Sequence, residues 1–587
     1  MTTGPGETAA PVDALRGAGQ TPGSPVALAC APGGFAMAHG GRTWWWAADT
    51  DALAAAVGAV TAECAPRWVW WSATAEVTAL VEAGVRLSAC WDLGAAHLLL
   101  YGGSRAEPAR VWAATRDLDP DDAPSSGQLD LLGVADDGGD GHPDEPVRPD
   151  GYLRPDWAER GPRTPAAAAR WAGLALAVRD HQEAALAALP DTRPVASAPP
   201  LGVLTAWSES AAAVLAVELE AYGLPLDRTS AVELIARHAG PPPTDPAATD
   251  TSRRERDSQV LQHLPEGTEV DLRNPAQVRA MLARIGIDVA DTRSWRLEPF
   301  RDVHPAVPAL LAWRKSERIA TTYGYGWLER HVRADGRLRG AWHGSDGAAG
   351  RMTAQSGLHN LPAELRPAVA AEPGHVLVRA DLGQIEPRVL AAVSHDDALA
   401  RATADPDLYA PVAARLGCDR PTAKVAVLAA MYGQTSGTAG AALKGLDRAY
   451  PVAMAFLRAA DERGKAGDDV RTYGGRRVAM WHLDVPEPAA VASRGRFARN
   501  AVVQGAAAEL FKMWAVTVRA GLPSYGGQIV LCLHDELLVH APKESADDVV
   551  GLLHSTLDAT AGRWAPGSGV RLVADVRVVN RRSDAKD

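Results

Sequence analysis

The pattern of apolar and polar positions divides the chain near residue 200. Before that point, short apolar runs alternate with stretches of helical periodicity, which indicates an α/β domain of modest size. The apolar runs are Pro25–Cys30, Arg67–Trp71 and His97–Tyr101, and the clearest helical stretch is Asp51–Cys64. A helix is predicted from about Pro165 to Leu189, followed by a Pro-rich linker at Pro190–Pro200.

After residue 200 the helical periodicity is stronger and then gives way to mixed patterning. Residues 203–238 predict two helices, which Gly223 and Pro225 separate. The next expected elements are a polar, Pro-rich break at Gly240–Ser258 and helices at Asn274–Ile285 and His304–Arg333. From Arg337 onward, short apolar strands alternate with helices.

Composition narrows the class of protein without identifying it. A length of 587 residues predicts about three or four domains, and no apolar run is long enough to predict a transmembrane helix. No secretory signal is visible, and the five cysteines include no CxxC pair, which fits a reducing cytoplasm. Ten acidic residues between Asp117 and Glu145 account for most of the net charge of −11, so that charge does not exclude nucleic acid as a partner.

Two acidic segments are placed where they could share cations. The predicted strand Val376–Ala380 ends at Asp381. The segment Gly526–Lys543 predicts a β-hairpin with Asp535 and Glu536 at its tip. Carboxylate oxygens are the ligands that Mg²⁺ prefers, and a two-ion site of this kind supports phosphoryl transfer.

A third segment, Asp419–Gly437, predicts a helix with a cationic face. Asp419 can cap this helix, and Pro421 suits its first turn. Positions four apart share one gently drifting face, which carries Arg420, Lys424, Leu428 and Tyr432. Two cations near the positive end of a helix suit a triphosphate.

In their order along the chain, the three segments resemble motifs A, B and C of the family A DNA polymerases, the class of bacterial DNA polymerase I. The family patterns D-Y-S-Q-I-E-L-R, R-x-x-x-K-x-x-x-F-x-x-x-Y-G and H-D-E correspond here to Asp381–Arg388, Arg420–Gly433 and His534–Glu536. Shorter matches are Gly350–Thr353 with His359–Pro362, Thr472 with Gly475–Arg477, and Arg496, Asn500 and Gln504–Gly505. The resemblance covers roughly residues 205–580.

The resemblance implies an α+β right-hand polymerase with palm, fingers and thumb, preceded by an α/β, RNase H-like exonuclease domain. The 5′ nuclease domain that often precedes such polymerases is not expected. The implied divisions are residues 1–200 for the exonuclease-like domain with an acidic insertion at 117–155, 201–340 for the thumb, 341–400 and 491–587 for the two parts of the palm, and 401–490 for the fingers.

The resemblance also implies roles for individual residues. Asp381 and Asp535 would hold two Mg²⁺ ions, with Glu536 nearby. Lys424 would bind the triphosphate and donate a proton to the leaving pyrophosphate, and Glu386 would select deoxynucleotides by filling the space of a ribose 2′-OH. The other nucleotide-binding residues would be Gln384, Tyr409, Arg420, Leu428 and Tyr432. The residues in contact with DNA would be Arg351, Asn360, Arg388, Arg496, Asn500, Gln504 and His534.

The sequence departs from the family pattern in several places. Leu428 stands where an aromatic side chain usually stacks on the incoming nucleotide, and Asp407-Leu-Tyr409 replaces Asp-x-His. A proofreading exonuclease needs a D-x-E pair on its first strand, but the candidate strand, Pro25–His39, has no acid. Asp92 and Asp180 are candidate remnants of that site, and the favoured interpretation of each is a capping or surface acid. Proofreading is therefore expected to be lost.

The implied reaction is attack of a primer 3′-OH on the α-phosphate of a dNTP. The implied protein is a cytoplasmic monomer without a membrane, which binds primer–template DNA and fills gaps in repair or replication. A single-subunit RNA polymerase is an alternative, although Glu386 and the triplet His534–Glu536 argue against it. The two aspartates and Lys424 disfavour a non-catalytic DNA-binding scaffold, and the missing D-x-E pair disfavours a nuclease.

Overall fold

The computed structural model describes residues 9–125, 145–433 and 439–585. Part of the acidic insertion and the last residues of the segment Asp419–Gly437 therefore lie outside the described residues. The chain forms two compact units. The first contains Met1–Ala221, Trp342–Thr353 and Val378–Arg577, and the second contains Tyr222–Ala341, Ala354–Leu377 and Val578–Asp587.

The first unit begins with an α/β domain built around a five-stranded sheet. The strands are β1 (Pro25–Ala31), β2 (Gly34–His39), β3 (Arg42–Ala47), β4 (Arg67–Trp70) and β5 (Cys90–Asp92), in the order β3-β2-β1-β4-β5. Strands β1, β4 and β5 are parallel, and β2 pairs antiparallel with both of its neighbours. The helices are α1 (Pro11–Gly17), α2 (Thr50–Cys64), α3 (Ala73–Glu76), α4 (Thr78–Glu82), α5 (Leu93–Tyr101), α6 (Pro108–Ala114), α7 (Pro155–Arg160), α8 (Pro165–Ala187) and α9 (Leu201–Tyr222).

Two apolar runs in this domain form elements that differ from the predicted ones. The candidate strand Pro25–His39 is a hairpin, because Gly33 turns the chain with a φ of +83°. The run His97–Tyr101 is the end of helix α5, which the carboxylate of Asp92 caps. A short apolar run has the same composition in a buried helix as in a buried strand, so periodicity alone could not separate them.

Helix α9 is an internal helix. Among the described residues it is the helix whose length and composition would allow it to cross a membrane, and 83% of its most apolar window is buried inside the protein. Its acidic side chains Glu209 and Glu218 are buried as well and accept hydrogen bonds from Lys512 and Arg519. Buried, paired charges of this kind are typical of a helix in a protein core.

The second unit is mainly helical. Its strands β6 (Leu224–Pro225) and β7 (Arg337–Leu338) pair antiparallel. Its helices are α10 (Arg228–Ala239), α11 (Pro246–Leu261), α12 (Pro275–Arg284), α13 (Ser294–Leu297), α14 (Ala306–Thr322) and α15 (Tyr325–His331). The two helices predicted around Gly223, and the helix predicted from Asn274, are confirmed by α9, α10 and α12.

Two predictions in the second unit are wrong. The expected break Gly240–Ser258 contains most of helix α11, which begins after an Asp245 cap and buries only Val260. A helix that is almost wholly solvated lacks the apolar stripe on which the prediction depends. The expected single helix His304–Arg333 is two helices, because the backbone becomes extended at Gly324.

The rest of the first unit contains the three motifs. Its strands are β8 (Trp342–Asp346), β9 (Arg351–Ala354), β10 (His375–Leu382), β11 (Val470–Arg471), β12 (Arg477–Val478), β13 (Gln528–Cys532), β14 (Glu536–Pro542) and β15 (Ala574–Val579), with a central sheet of order β13-β14-β10-β15. Its helices are α16 (Ile385–Ser394), α17 (Asp397–Ala402), α18 (Tyr409–Leu416), α19 (Arg420–Tyr432), α20 (Ala439–Ala449), α21 (Pro451–Ala466), α22 (Pro488–Gly521) and α23 (Ala546–Trp564). The strand, hairpin and helix predicted for the motifs are confirmed.

A buried charge network, formed by Glu209, Arg476 and Lys512, joins α9 to α22. Glu209 accepts hydrogen bonds from Lys512 Nζ at 2.6 Å and from an Arg476 Nη at 2.5 Å, and all three side chains are buried. Burial opposes the ionisation of Glu209, but the charges of Arg476 and Lys512 outweigh it and lower its pKa. Lys512 Nζ also donates to the Gly350 carbonyl oxygen at 2.6 Å, so the network supports the turn that precedes Arg351.

Glu509, on helix α22, predicts a pH dependence of stability. Burial raises its pKa from 4.5 to about 7. The Glu509 carboxyl group therefore stays protonated to a higher pH in the folded protein than in the unfolded chain. Its contribution to stability is complete below about pH 4.5 and is lost as the pH rises through 7. We expect Glu509→Gln to gain up to about 3 kcal/mol relative to the wild type between pH 5 and pH 8. Urea denaturation of both proteins at pH 5 and pH 8 measures this gain. A difference in the free energy of unfolding that is the same at both pH values would contradict the prediction.

Candidate active site

Two aspartates from distant parts of the chain meet at one edge of the central sheet. Asp381 is near the end of β10, and Asp535 lies in the turn between β13 and β14. The Leu382 N–H donates a 2.8 Å hydrogen bond to the Asp535 carbonyl oxygen, which holds the two segments side by side. Burial and then the charge of Asp535 raise the pKa of Asp381, whereas burial and then Glu536 raise that of Asp535. A cation bound here would relieve this repulsion.

Glu536 completes a carboxylate cluster, which we define as Asp381, Asp535 and Glu536. Glu536 is buried at the start of β14. Arg379, from β10, donates to Glu536 Oε2 from its Nε at 2.9 Å and forms an ion pair with Asp381 through an Nη. The sequence prediction missed Arg379. The signal that could have found it is a positive charge at a buried position of an apolar strand.

Glu386, in the first turn of α16, is held from two sides. An Nη of Arg351 donates to Glu386 Oε1 at 2.9 Å, and the Tyr432 hydroxyl donates to Oε2 at 3.1 Å. Burial and then the charge of Glu386 raise the pKa of Tyr432, so the phenol remains a donor. The carboxylate is thus fixed in one place, as a steric filter for a sugar requires.

Helix α19 presents the cationic face that its sequence predicts. The Asp419 carboxylate accepts a hydrogen bond from the Thr422 N–H at 2.8 Å and caps the helix. The opposite face packs inward through Ala423, Ala426, Val427, Ala430 and Met431. Lys424 is exposed and forms no ion pair within the described residues, and Leu428 is half-buried one turn later. The face is therefore open to an anionic ligand.

Asp407 joins two of the predicted nucleotide-binding residues and was itself not predicted. Gln384 Nε2 donates to Asp407 Oδ1 at 2.7 Å, and Arg420 pairs with the other oxygen. The hydrogen bond from Arg420 lowers the pKa of Asp407. Tyr409 is buried, and the Arg420 guanidinium lies 5.7 Å from its ring centroid. Tyr409 therefore supports Arg420 from below the surface.

Helix α22 carries a polar row with a spacing of four residues. Arg496, Asn500 and Gln504 share one face of this helix. A Cβ at Gly433 would lie 2.7 Å from Cγ of Arg496, so a glycine is needed where α19 ends against this row. The side chain of Gln504 faces the Tyr432 hydroxyl, and Asn500 Oδ1 is buried without a hydrogen-bond partner among the described residues. The row thus has unused hydrogen-bonding capacity.

His534 lies beside the carboxylate cluster, at the tip of the hairpin. Burial and then the charge of Arg351 lower its pKa, so the imidazole is neutral at physiological pH. A neutral imidazole can donate a hydrogen bond from one nitrogen to an acceptor on a ligand.

Arg388 and Asn360 are the remaining two residues predicted to contact DNA. Arg388 is fully buried, and its guanidinium donates to backbone carbonyls. The acceptors are the carbonyl oxygens of Gly383, Thr403, Asp405, Pro406 and Arg571. This arrangement holds the loop after Asp381 and leaves no exposed donor for DNA, so Arg388 has a positioning role. Asn360 belongs to the second unit, where its side chain is exposed and its carbonyl oxygen accepts from Arg318 and Tyr323.

The two acids considered as exonuclease remnants have ordinary structural partners. Asp92 is buried and accepts hydrogen bonds from Trp70 Nε1 and from the N–H groups of Ala73 and Ala95. Asp180 is exposed and pairs with its neighbour Arg179. Among the residues that the structure describes, neither acid belongs to a group of three or more side chains that could hold a metal ion, which agrees with the interpretation of both as structural acids.

Comparisons with known proteins agree with this arrangement. The sequence model of DNA polymerase family A matches residues 250–581. DNA polymerase I of Deinococcus radiodurans is 26% identical over 335 residues, which cover 50% of this chain and 35% of that protein. The thermostable DNA polymerase I of Thermus thermophilus is 30% identical over 296 residues, covering 46% of this chain and 35% of the relative. The matched region thus spans about a third of the length of these curated relatives.

A solved structure shares the whole fold. It is the POL domain of Pol1 from M. smegmatis in complex with DNA primer-template and dNTP, with a TM-score of 0.69 and 18% identity. The match covers 100% of this chain and 99% of that one, so the polymerase architecture is confirmed, with a small α/β domain before it. Because the family's sequence model matches more than half of the chain, the chain belongs to DNA polymerase family A, whose members use divalent metal ions.

Proposed function

We propose that this chain is a DNA-directed DNA polymerase, which joins a dNTP to a primer 3′-OH and releases pyrophosphate. The observation that carries the proposal is the meeting of Asp381 and Asp535 at one sheet edge through the Leu382–Asp535 backbone hydrogen bond. The solved domain of the same fold, which is described with DNA primer-template and dNTP, supports it.

The carboxylate cluster suits Mg²⁺, and we propose two ions held by Asp381 and Asp535. The donors are carboxylate oxygens, which are ligands for a hard divalent cation, and burial followed by the charge of a neighbouring carboxylate raises the pKa of both aspartates. When bound, such ions activate the attacking hydroxyl and stabilise charge on the leaving oxygen. Glu536, which is tied to Arg379, would add negative charge close to the ions.

The exposed face of α19 would bind the nucleotide. Lys424 and Arg420 would hold the triphosphate, and Lys424 would supply a proton to pyrophosphate. Arg420 would share its charge between phosphate and Asp407. Leu428 offers the base an aliphatic surface without an aromatic ring, so we expect weaker stacking and a higher KM for dNTPs.

Glu386 would be the sugar filter, with Arg351 and Tyr432 holding it in place. Glu386→Ala would open space for a 2′-OH, so we expect the preference for dATP over ATP to fall by about 10²-fold. The measurement is kcat/KM for each nucleotide on one primer–template. Glu462→Ala, an exposed glutamate on α21, is the matched control. An unchanged preference in Glu386→Ala would contradict the role.

The polar row on α22 and the hairpin tip would contact the minor groove. Purine N3 and pyrimidine O2 acceptors there are common to all correct base pairs, so donors can test pairing without reading sequence. The side chains that would supply such donors are those of Arg351, Arg496, Asn500, Gln504 and His534. We propose the exonuclease-like domain at residues 1–200, the thumb at 201–340, the two parts of the palm at 341–400 and 491–587, and the fingers at 401–490.

The cellular role that fits this activity is gap filling in repair or replication by a cytoplasmic monomer. We propose that proofreading is lost, because strands β1 and β2 carry no acid and Asp92 is committed to capping α5. These proposals follow from the polymerase activity and share its test.

Primer extension tests the proposal. A labelled primer on a DNA template is incubated with dNTPs and Mg²⁺, beside an Asp535→Ala variant, a lane with rNTPs and a lane without nucleotides. Extension with dNTPs by the wild type alone is expected. DNA binding without extension would favour a scaffold, extension with rNTPs would favour an RNA polymerase, and shortening without nucleotides would reveal a nuclease.

A further inference from the structure

Arg379 is a buried cation inside the carboxylate cluster. Its side chain is 8% exposed, in a strand whose other buried positions are apolar. Nε lies 2.9 Å from Glu536 Oε2, and an Nη pairs with Asp381 Oδ2. A buried charge is tolerated when it is paired, and this one is paired with two carboxylates of the cluster.

We propose that Arg379 is a positioning residue that occupies the cation site in part. When no ion is bound, the Arg379 guanidinium neutralises Asp381 and Glu536. A divalent ion can therefore bind Asp381 only by displacing the guanidinium from it. The proposal rests on the polymerase function proposed above, because it assumes that Asp381 binds the ion. It predicts a site with weak intrinsic affinity for divalent cations, loaded mainly when the phosphates of a nucleotide add further ligands.

The geometry allows the exchange while the pair between Arg379 and Glu536 is kept. The guanidinium has several donors, so Nε can stay on Glu536 while the Nη group releases Asp381. Glu536 then remains paired and buried, whereas Asp381, which is more exposed, turns its oxygens to the ion. Arg379 thus separates the roles of the two acids, with Asp381 as ligand and Glu536 as support.

A neutral residue at this position should strengthen metal binding. Arg379→Met keeps an unbranched apolar stem but removes the positive charge, which leaves three carboxylates to be neutralised. We expect Mn²⁺, in the absence of DNA and nucleotide, to bind about tenfold more tightly to this variant than to the wild type. Arg379→Lys keeps the charge but lacks the planar, forked guanidinium that fits both acids, so an intermediate affinity is expected.

The experiment measures free Mn²⁺ by electron paramagnetic resonance during titration of the full chain. Thermal melts with and without Mn²⁺ accompany it, and the rise in Tm on adding Mn²⁺ should be larger for Arg379→Met than for the wild type. If Arg379→Met folds only with Mn²⁺, the ion has replaced the guanidinium, as proposed. If Arg379→Met does not fold at all, the Mn²⁺ affinity of Arg379→Lys relative to the wild type tests the proposal instead. Equal or weaker Mn²⁺ binding in the folded variants would overturn the proposal.

Asp381→Asn separates this inference from the proposed function. If this variant binds Mn²⁺ as the wild type does, the metal site itself is misplaced and the proposed function loses its basis. If Asp381→Asn loses Mn²⁺ while Arg379→Met binds it unchanged, only the role of Arg379 fails.

Discussion

Asp535→Asn and Asp381→Asn are each expected to lower the rate of primer extension by about 10³-fold or more. Each change removes one negative oxygen donor but preserves the size of the side chain. The two aspartates come from strands that share the Leu382–Asp535 hydrogen bond, so the loss of either leaves the other with an incomplete ligand set. The measurement is single-turnover extension by one nucleotide with saturating Mg²⁺.

Controls distinguish loss of chemistry from loss of fold. The matched variant is Asp558→Asn, on helix α23, where the carboxylate is exposed. We expect it to change the rate less than about threefold, because surface substitutions away from the site have small effects. The folded state raises the pKa of both Asp381 and Asp535, so their ionised forms oppose folding at neutral pH. The Asn variants should therefore keep or raise Tm. Normal primer extension by either Asn variant would contradict the proposed metal site.

The second large effect is expected from the buried charge network. Glu209→Gln leaves Arg476 and Lys512 as two buried cations without their shared anion. Removal of one partner from a buried pair costs about 3–5 kcal/mol. Because the network holds α22 and the turn before Arg351, amide hydrogen exchange should accelerate in both segments.

A double variant tests whether the effect belongs to the network. Lys512→Met keeps the pair between Glu209 and Arg476 and should cost less than Glu209→Gln. Combining Glu209→Gln with Lys512→Met removes one of the two unpaired cations. The loss of stability in the double variant should therefore be smaller than the sum of the losses in the two single variants. Strict additivity, or unchanged exchange in Glu209→Gln, would show that these charges do not act together.

The elements that carry the catalytic motifs could be predicted from sequence because their signals are local. The apolar runs of β10, β13 and β14 and the Asp419 cap each lie within a few residues of the element that they specify. Helix α11 was missed for the opposite reason, since its packing contributes one buried residue and its sequence is polar. The run His97–Tyr101 was ambiguous because strand and helix bury the same residues there.

Contacts between distant residues could not be predicted in the same way. Arg379 is recognisable as unusual in an apolar strand, but its partner Glu536 lies 157 positions away. Lys512 and Glu209 are separated by 303 positions. Arg388 was predicted to contact DNA from its motif, and only its five carbonyl partners reveal that it is a buried support. Such assignments need the folded arrangement, because the sequence fixes no distance between these side chains.

The most direct test of the account is the choice of nucleotide as a function of the templating base. Four primer–templates that differ only at that base are each offered the four dNTPs one at a time, with Mg²⁺ or with a chelator. The account predicts addition of the complementary nucleotide with at least about 10²-fold preference. It also predicts that the chelator and Asp535→Asn abolish addition. Addition that ignores the templating base, or persists without a divalent cation, would contradict it.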